Sequence, residues 1–312
     1  MSHQWTRRRW LQVTAAGLVP LTRLAPLGAQ GARPVFGVQL YTVRNRMGPQ
    51  LEATLKAIAA IGYREVEVGP ADLAQVVPVG KRFGLSAPAA HIEVPIVTGN
   101  WQPWRAAAKM FPMNLPAEDG YDMAKAADEL RAHGVTYAVV PYLMPGERNA
   151  PDFYERLADQ MNRAGEVARR AGLTLGYHNH GFEFEKRPDG RTPFDILLER
   201  FDPALVRIEL DVFWVAITGQ DPVRLIEQLG NRVALLHLKD KAASAPTVTD
   251  EAKVPQQAFA EIGRGTIDFA KVLAAGRAAG VAHYFVEQDH TPGDPLDSLR
   301  TSFGNLQTIR GG

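Results

Sequence analysis

The chain has 312 residues, and its 35 lysines and arginines nearly balance its 34 aspartates and glutamates, giving a formal net charge of +1. This balance, with no basic run in the body of the chain, argues against a nucleic-acid-binding surface. The absence of cysteine excludes disulfides, thiolate metal ligands and cysteine nucleophiles. The length suits one large α/β barrel or two small domains.

The beginning of the chain differs in character from the rest. Arg7–Arg9 precede a weakly apolar stretch, Val13–Val19, and small residues follow at Leu27–Ala29. This order is typical of a twin-arginine signal, which directs the export of folded proteins. We therefore predict a signal peptide over residues 1–29, a folded domain over residues 30–312 and a periplasmic location.

Two other interpretations of this segment are a basic tail and an uncleaved membrane anchor. The apolar run is short and is interrupted by Pro20 and Arg23, so we expect no stable membrane insertion. Cleavage near Ala29 would remove four arginines and no acidic residue, which takes the formal net charge from +1 to about −3. A negative mature domain speaks against a nuclease.

Eight short apolar runs, rich in β-branched and aromatic residues, follow one another after residue 34. Their mostly continuous apolar character is expected of strands that are covered on both faces. The predicted strands are Val35–Tyr41, Glu65–Val68, Leu85–His91, Ala138–Pro141, Thr174–His178, Val206–Asp211, Val233–Leu238 and Tyr284–Glu287.

Helical patterns lie between these strands. Apolar residues share one helical face in three stretches, which begin near Leu51, Phe153 and Leu296. The pairs Asp221-Pro222 and Asp294-Pro295 each place a capping acid before a proline at the first helical position. Glycines that follow helical segments indicate left-handed helix ends before the next strand. They are Gly62, Gly84, Gly134, Gly172 and Gly280.

Eight strand–helix units in this length predict an α/β fold consisting of a single (β/α)₈ TIM barrel. The alternative is a doubly wound sheet, which would show a glycine-rich dinucleotide fingerprint after the first strand, and none is present. Gly263–Gly265 follows no strand and is predicted to be a loop turn.

Two connections are longer than a barrel needs, namely Ile92–Glu118 and Lys239–Ile262. Both leave the carboxyl ends of strands, where the active sites of barrels are built. Long connections of this kind are usually lids or binding loops, although residues 242–250 fit a solvated insertion equally well.

Polar residues end four of the late strands. Asp211, His237 and Glu287 stand at the ends of three of them, and His178 or Glu183 would complete a set from the fifth. Carboxylates and imidazoles together suit a hard or borderline divalent cation. Each residue alone could be a helix cap, a hydrogen-bonded core histidine or half of an ion pair. Their joint position at consecutive strand ends favours a shared metal site.

Five motifs carry a resemblance to a known family. They are Gly37–Arg44, Tyr177–Phe184, Glu209–Trp214, Leu236–Asp240 and Glu261–Phe269. Together they resemble the sugar phosphate isomerase/epimerase family, which shares the xylose isomerase-like TIM barrel with inosose dehydratases and endonuclease IV-type nucleases. The resemblance extends over residues 35–310 and keeps the motifs in the family's order.

The resemblance implies a metal shell of Glu, Asp, His and Glu from strands five to eight, with the two glutamates acting as acid and base. Asp211, His237 and Glu287 match the last three positions. At the fifth strand the chain departs from the pattern, because His178 holds the ligand position. Either His178 binds the metal or Glu183 folds back to do so, and epimerisation by two symmetrical glutamates is put in doubt.

The expected chemistry is enolisation of a sugar ketone. A divalent ion would act as a Lewis acid on the ketone and the adjacent hydroxyl and stabilise an enediolate. We predict Glu287 or His178 as the base and His180 as a proton shuttle or donor. Lys239 is a candidate for neutralising the developing oxyanion, and the alternative for it is an ion pair with Asp240 or Glu209.

The predicted substrate is a small sugar without a phosphate, because exported proteins rarely meet sugar phosphates and no phosphate-binding loop is evident. Gln39 and Arg44 are candidates for binding sugar hydroxyls, although Arg44 equally suits a surface ion pair. Tyr41 and Trp214 are candidates for stacking on the sugar ring, or for simple packing.

The leading hypothesis is a metal-dependent isomerase or epimerase of a sugar or keto-sugar. The second is a lyase or dehydratase that eliminates water or an aglycone by the same enolisation, and the third is an exported sugar-binding protein without turnover. One Mn²⁺, Mg²⁺, Co²⁺ or Zn²⁺ ion is the expected cofactor. A homo-oligomer is compatible with the sequence, but no interface stripe can be told apart from helices that cover a barrel.

Overall fold

A closed barrel of eight parallel strands forms the centre of the computed structural model, which describes residues 34–110, 115–117 and 120–309. In chain order the barrel strands are β1 (Phe36–Gln39), β2 (Glu65–Val68), β3 (Ser86–His91), β4 (Tyr137–Val140), β5 (Thr174–His178), β6 (Val206–Asp211), β7 (Val233–Leu238) and β10 (His283–Val286). Between β7 and β10, the short strands β8 (Asp240–Lys241) and β9 (Phe259–Ala260) form a separate antiparallel pair. Each barrel strand pairs with its neighbour in the chain, and β1 pairs with β10 to close the ring. The predicted (β/α)₈ barrel is confirmed.

Helices surround the barrel. They are α1 (Leu51–Ile61), α2 (Pro70–Arg82), α3 (Pro95–Thr98), α4 (Gln102–Ala107), α5 (Met123–Ala132), α6 (Pro145–Arg148), α7 (Phe153–Arg170), α8 (Pro193–Arg200), α9 (Val212–Ile217), α10 (Pro222–Leu229), α11 (Phe269–Ala279) and α12 (Pro295–Ile309). None of the helices in the described ranges is long and apolar enough to span a bilayer. The predicted signal peptide and its boundary lie outside the described residues.

Local sequence signals place the helix ends correctly. The Asp221 carboxylate accepts the backbone N–H groups of Val223 and Arg224 at the start of α10. Asp294 likewise accepts the N–H of Leu296 at the start of α12. The five glycines that were predicted to end helices all have positive φ, where a Cβ would be strained.

The first strand is shorter than the sequence predicts. It ends at Gln39, and Leu40–Arg46 turns into a 3₁₀-helix instead of continuing the predicted strand to Tyr41. The turn is stabilised by Gln39, whose side-chain oxygen accepts the backbone N–H of Tyr41. The strand therefore stops with a buried glutamine at the barrel mouth.

Inside the barrel, Phe285 on β10 is fully buried beside β1. A Cβ built on Gly37 would lie 2.5 Å from the Phe285 ring, so only glycine fits opposite it. The ring in turn lies 6.1 Å from the imidazole of His237, centroid to centroid. The apolar interior thus forms the floor beneath the polar residues at the carboxyl end.

The connection after β7 is closed at its base by Asp240. Its two carboxylate oxygens accept four backbone N–H groups, from Lys241, Gly263, Gly265 and Ile267, at 2.8–3.2 Å. Gly263–Gly265 forms the predicted turn, and a Cβ on Gly265 would lie 2.3 Å from Asp240 Oδ1. Because one side chain holds both ends, the β8–β9 connection is a closed loop.

The middle of this loop lies against the barrel mouth. Val248 donates its N–H to the carbonyl of Ile217 at the end of α9. A Cβ on Gly181 would come within 2.9 Å of the Thr249 carbonyl oxygen, so the loop passes directly over the segment that follows β5. Residues 247–249 are therefore part of the mouth and not a separate insertion.

Candidate metal centre

Three of the predicted ligands meet at the carboxyl end of the barrel. Asp211 ends β6 beside His237 on β7, in register, and Glu287 follows β10. His237 Nδ1 lies 2.9 Å from Glu287 Oε2 and 4.0 Å from Asp211 Oδ2. All three side chains are buried, and their ligand atoms lie within 4.8 Å of one another. Side chains that are spread over 76 residues of the chain, from 211 to 287, thus share one small volume.

Of the two candidates from the fifth strand, the structure brings His178 to this place. His178 Nε2 lies 3.7 Å from Asp211 Oδ2. Glu183 instead accepts a hydrogen bond from the Tyr177 hydroxyl at 2.6 Å and one from the His180 N–H at 2.8 Å. In the described chain, two groups of side chains are close enough to hold an ion: Asp211, His237 and Glu287, and, sharing His237, the set His91, His178, Glu209 and His237. Glu183 belongs to neither group, so the prediction that it folds back as a ligand has no support from this geometry.

Asp211 is oriented by the helix that it begins. Its Oδ1 accepts the N–H groups of Phe213 and Trp214 and so caps α9. Its Oδ2 is buried and faces the Lys239 ammonium, whose Nζ lies 3.0 Å away. Asn179 holds the strand ends together, because its amide bonds both the N–H and the carbonyl of Asp211. The predicted alternative for Asp211, a helix cap, therefore uses one oxygen and leaves the other for a cation.

Lys239 lies beside the carboxylates of Asp211, Glu287 and Asp289. The alternative prediction for Lys239, an ion pair with Asp240 or Glu209, is therefore wrong. Its Nζ lies 3.0 Å from Asp211 Oδ2, 2.7 Å from Glu287 Oε2 and 3.2 Å from Asp289 Oδ1. Burial alone lowers the pKa of this ammonium, but the three carboxylates raise it well above its ordinary value. Lys239 is a permanent positive charge at the mouth. We call His178, Asp211, His237, Lys239, Glu287 and Asp289 the rim site.

The carboxylates of the rim site differ in their electrostatics. Burial raises the pKa of Glu287, but Lys239 and His237 overcome it and hold that pKa well below the ordinary value. Burial raises the pKa of Asp289 to about 6, with Glu287 adding to the effect and Lys239 opposing it. The pKa of His178 is lowered by burial and by the neighbouring His237, so that ring is neutral near pH 7. A neutral imidazole is the form that binds metal.

A second polar group lies beneath the rim site and was not predicted from the sequence. We call Gln39, Glu67, His91 and Glu209 the inner cluster. Glu209 Oε2 lies 2.9 Å from His91 Nε2 and 3.0 Å from His178 Nδ1, and Glu67 Oε2 lies 2.7 Å from His237 Nε2. Burial and the neighbouring Glu67 raise the pKa of Glu209 to about 7. The inner cluster therefore contacts the far side of both rim histidines.

A signal for the inner cluster is present in the sequence. His91 ends a predicted strand just as His237 nearly does, and Glu209 precedes Asp211 by two residues, which puts both on one face of β6. Asp289 follows Glu287 as Lys239 follows His237, again by two residues. The period of two along a strand is therefore the sequence signal for Glu209 and Asp289, and the strand end is the signal for His91.

Aromatic rings line one side of the mouth. His180 lies among Trp214, Tyr142 and Phe182, with ring centroids 5.0–5.7 Å away. His180 Nδ1 and Trp214 Nε1 are buried without a hydrogen-bond partner in the described chain. Burial, aided by the Lys239 charge, lowers the pKa of His180 well below its ordinary value. Unpartnered polar atoms in an aromatic wall are expected where a polar ligand binds.

The structure places the other predicted substrate contacts, Gln39, Tyr41 and Arg44, in different surroundings. Gln39 is 4% exposed, and its amide is engaged within the inner cluster. Tyr41 is 51% exposed, and the Arg44 guanidinium lies 4.0 Å from its ring centroid. Arg44 also donates to the carbonyls of Tyr41 and Asp289, so it makes neither the surface ion pair nor a free sugar contact.

The donor set of the rim site fits a divalent metal. Ligand atoms of Asp211, His237 and Glu287 lie within 4.8 Å of one another, and His178 Nε2 lies 3.7 Å from Asp211 Oδ2. The two carboxylates already face one cation, the Lys239 ammonium, at 3.0 and 2.7 Å. Such mixed nitrogen and oxygen donors suit Zn²⁺, Mn²⁺ and Co²⁺. The fold and this site define a TIM-barrel protein with a candidate divalent-cation centre at the carboxyl ends of its strands.

The chain belongs to the xylose isomerase-like TIM-barrel family, whose pattern it matches over residues 55–307. Among curated proteins it is 30% identical, over 154 residues, to an inosose dehydratase of Geobacillus thermodenitrificans. That match covers 46% of the chain and spans only 50% of the length of the relative.

Two solved structures share the fold. A sugar phosphate isomerase/epimerase of Parabacteroides distasonis is 21% identical with a TM-score of 0.70, and the match covers 88% of this chain and 98% of that one. The IolI protein, solved with a bound zinc atom, is 14% identical with a TM-score of 0.61, over 88% and 97% of the two chains. At these identities the likeness establishes the architecture alone.

Proposed function

We propose that this protein is a divalent-metal-dependent enzyme that enolises a keto-sugar and acts as an isomerase or epimerase. The observation that carries the proposal is the convergence of Asp211, His237 and Glu287, whose ligand atoms lie within 4.8 Å of one another, with His178 Nε2 3.7 Å from Asp211 Oδ2. The names of three relatives agree with this proposal. They are an inosose dehydratase, a sugar phosphate isomerase/epimerase and a protein solved with a bound zinc atom. Bound there, the metal would polarise the substrate ketone and the adjacent hydroxyl.

The protein's own residues divide the remaining work. Glu287 uses Oε2 for His237 and Lys239, which leaves Oε1 as the oxygen that takes the proton between ketone and hydroxyl. Lys239 supplies fixed positive charge to the enediolate oxygen. His180, whose Nδ1 has no partner in the described chain, is placed to return a proton from the aromatic side. His178 is the weaker candidate for the base, because both of its nitrogens already face carboxylates.

The proposed substrate carries no phosphate. The cations near the mouth are already engaged: Lys239 with three carboxylates, Arg44 with two carbonyls, and Arg148 with Glu251 at 2.7 Å. A phosphate would have to displace one of these partners. The wall of Trp214, Phe182 and Tyr142 suits the apolar face of a sugar ring.

Elimination by the same enolisation is the second candidate. Two observations favour it: the curated relative is a dehydratase, and His178 replaces the second glutamate that symmetrical epimerisation would use. Loss of water or of an aglycone needs a base on one face only, which Glu287 provides. A keto-cyclitol or a 3-keto-glycoside would be the substrate.

The test is solvent exchange. Metal-loaded protein incubated with ketohexoses, an inosose and a 3-keto-glycoside in deuterium oxide should place deuterium next to the ketone, and product mass separates isomerisation from elimination. Asp211→Asn should abolish exchange together with metal binding. Glu287→Gln removes a ligand and the base together, so it should weaken metal binding and, at saturating metal, exchange at least 100-fold more slowly. Unchanged biological activity in Glu287→Gln would instead support a binding protein without turnover.

We further propose export through the twin-arginine route, supported by Arg7–Arg9 and the apolar stretch that follows them. In a bacterial host, replacing Arg7, Arg8 and Arg9 together with lysine should retain the precursor in the cytoplasm. Periplasmic delivery of this variant, or delivery in a host that lacks the twin-arginine translocase, would refute the route.

A further inference from the structure

The β8–β9 loop (residues 242–258) crosses the mouth of the barrel against the order of the strands. Its base is tied down beside β7, and Val248 then bonds to Ile217, which follows β6. Next, the Thr249 carbonyl oxygen would lie 2.9 Å from a Cβ on Gly181, which follows β5. Since β7, β6 and β5 are neighbours in the barrel, the loop passes over their ends one after another.

Glu251 completes this path at the β4 side of the mouth. Its Oε1 accepts hydrogen bonds from the Tyr142 hydroxyl at 2.6 Å and from Arg148 Nη2 at 2.7 Å. Tyr142 follows β4, and Arg148 ends α6. Glu251 is close to the midpoint of the loop, so its carboxylate joins the part of the loop farthest along the chain from its tied ends to the barrel wall. We call Glu251, Tyr142 and Arg148 the latch.

The latch is partly shielded from solvent. The side chains of Arg148 and Glu251 are 12% and 19% exposed. The Arg148 guanidinium lies 3.5 Å from the centroid of the Phe182 ring, so the wall also holds it from a second side. Hydrogen bonds to a charged group in such surroundings are stronger than those of an exposed ion pair. They can nevertheless break at the loop alone, because Glu251 belongs to no barrel strand.

The loop covers polar atoms that lack a partner. Trp214 is 5% exposed, and its Nε1 and His180 Nδ1 are buried without a hydrogen-bond partner in the described chain. Val248 and Val254 of the loop pack against the apolar cluster that contains Trp214. A ligand can reach a buried atom only when its cover moves. Since the rest of the cover is built from strand ends and α9, the loop is the part that can lift.

We propose that Glu251 controls access to the aromatic wall beside the rim site. With the latch made, the loop covers the wall, and with the latch broken, residues 247–251 lift and admit the sugar. The proposal deepens the proposed function and rests on it only in naming a sugar as the molecule admitted. Because the latch is made in the closed state with or without a ligand, breaking it should speed entry and release alike and change affinity little.

Exchange of the Trp214 indole N–H with solvent measures the opening without metal or substrate. Protein labelled with ¹⁵N-tryptophan is transferred to deuterium oxide, and the indole signals, assigned with Trp214→Phe and Trp101→Phe, are followed with time. In the wild type the Trp214 indole should exchange much more slowly than that of free tryptophan. Trp101 Nε1, in the connection after β3, is likewise buried without a partner in the described chain and is the internal reference.

Glu251→Ala removes the latch from the loop side. It should speed exchange of the Trp214 indole and of the Val248 N–H roughly tenfold or more, since two hydrogen bonds to a charged group are lost. Exchange of the Trp101 indole should not change. The isosteric Glu251→Gln loses only the charge and should give a smaller increase, which preserves the test if alanine disturbs the loop.

Lys253→Ala is the matched control. Lys253 lies in the same 3₁₀ turn as Glu251, is exposed and pairs with Asp250. This variant should exchange its Trp214 indole at the wild-type rate. Two results would overturn the proposal: a Trp214 indole that exchanges equally fast in wild type and Glu251→Ala, or one that in the wild type already matches free tryptophan.

A sugar separates this proposal from the proposed function. Any ketohexose that the wild type deuterates next to its ketone should slow exchange of the Trp214 indole, and a deuterated sugar that leaves it unslowed would refute access beneath the loop. If Glu251→Ala speeds the exchange while no keto-sugar is deuterated, the latch stands and enolisation falls. If a keto-sugar is deuterated while Glu251→Ala changes nothing, the reaction stands and the latch falls.

Discussion

Glu183 shows how a single carboxyl can be buried without an ion-pair partner. Its two oxygens accept hydrogen bonds from the Tyr177 hydroxyl and the His180 N–H, and the side chain is fully buried. Burial raises its pKa from the ordinary 4.5 to about 7, although these hydrogen bonds oppose the shift. Ionisation of this residue is therefore coupled to the stability of the fold.

We predict that Glu183→Gln stabilises the metal-free protein at pH 8 but not at pH 5. Between pH 4.5 and pH 7 the folded wild type holds a proton that the unfolded chain releases, so its free energy of unfolding falls as the pH rises. A shift of this size corresponds to about 3 kcal/mol, and glutamine escapes it because it cannot ionise. The Tyr177 hydroxyl can turn to accept from the new amide. Urea unfolding at both pH values measures the difference.

Glu185→Gln is the matched control, because Glu185 is exposed and lies two residues further along. It should change the free energy of unfolding equally at both pH values. An equal effect of Glu183→Gln at pH 5 and pH 8 would show that Glu183 is not protonated in the fold.

Lys239 brings a positive charge to the place where the metal is proposed to bind. Its Nζ is 3.0 Å from Asp211 Oδ2 and 2.7 Å from Glu287 Oε2, the oxygens that would hold the cation. Lys239→Met should therefore tighten metal binding at least tenfold, since two like charges about 4 Å apart repel by a few kcal/mol in a protein environment. Turnover should fall, because the enediolate loses its neutralising charge.

Chelator competition measures the affinity in Lys239→Met, and solvent-exchange rates measure the turnover. Lys241→Met provides the comparison, because Lys241 lies two residues further along, in β8, and makes no ion pair with a carboxylate of the rim site. Weaker metal binding in Lys239→Met would show that the ammonium orders the carboxylates and does not compete with the metal.

Among the structural elements, the loop after β7 depends on close contact with the turn after β5. Gly181 has an ordinary helical φ of −75°, so alanine there carries no backbone strain. Its Cβ would nevertheless lie 2.9 Å from the Thr249 carbonyl oxygen. Gly181→Ala should displace residues 247–249 and raise KM several-fold, with metal affinity little changed. Hydrogen exchange at Val248, whose N–H is bonded to Ile217, reports the displacement.

Gly146→Ala is the control for this effect, since nothing lies within 4 Å of a Cβ at Gly146. It should leave exchange at Val248 and the KM unchanged. Normal protection of Val248 in Gly181→Ala would mean that the loop yields without leaving the mouth.

Elements that depend on local signals were predictable from the sequence, and contacts between distant residues were not. The caps at Asp221 and Asp294 and the five glycines that end helices follow from neighbouring residues. The inner cluster joins Gln39 to Glu67 across 28 residues and Glu67 to His237 across 170. Only the barrel register brings those side chains together. The sequence pattern predicts too long a strand β1, because the capping hydrogen bond from the Tyr41 N–H to the Gln39 side chain leaves no periodic signal.

At the scale of the whole molecule, the rim site exists only when the barrel is closed, because its ligands come from β5, β6, β7 and the end of β10. A metal that binds the folded state alone at 100 times its dissociation constant adds about 2.7 kcal/mol. For a domain of this size we predict a rise in Tm of roughly 5–10 °C. Calorimetry with and without Zn²⁺ checks this, and an equal rise in Asp211→Asn would place the ion elsewhere.

The hydrogen bonds to Asp240 allow the β8–β9 loop to change in evolution independently of the barrel. Since one carboxylate receives four N–H groups at the base of the β8–β9 loop, the 17 residues between these strands (242–258) can be lengthened, shortened or exchanged with little effect on barrel closure. Selection can therefore alter which molecule is admitted while the residues that perform the reaction stay in place. Grafting this segment from a related barrel onto the present one would be a direct route to a changed preference among sugars.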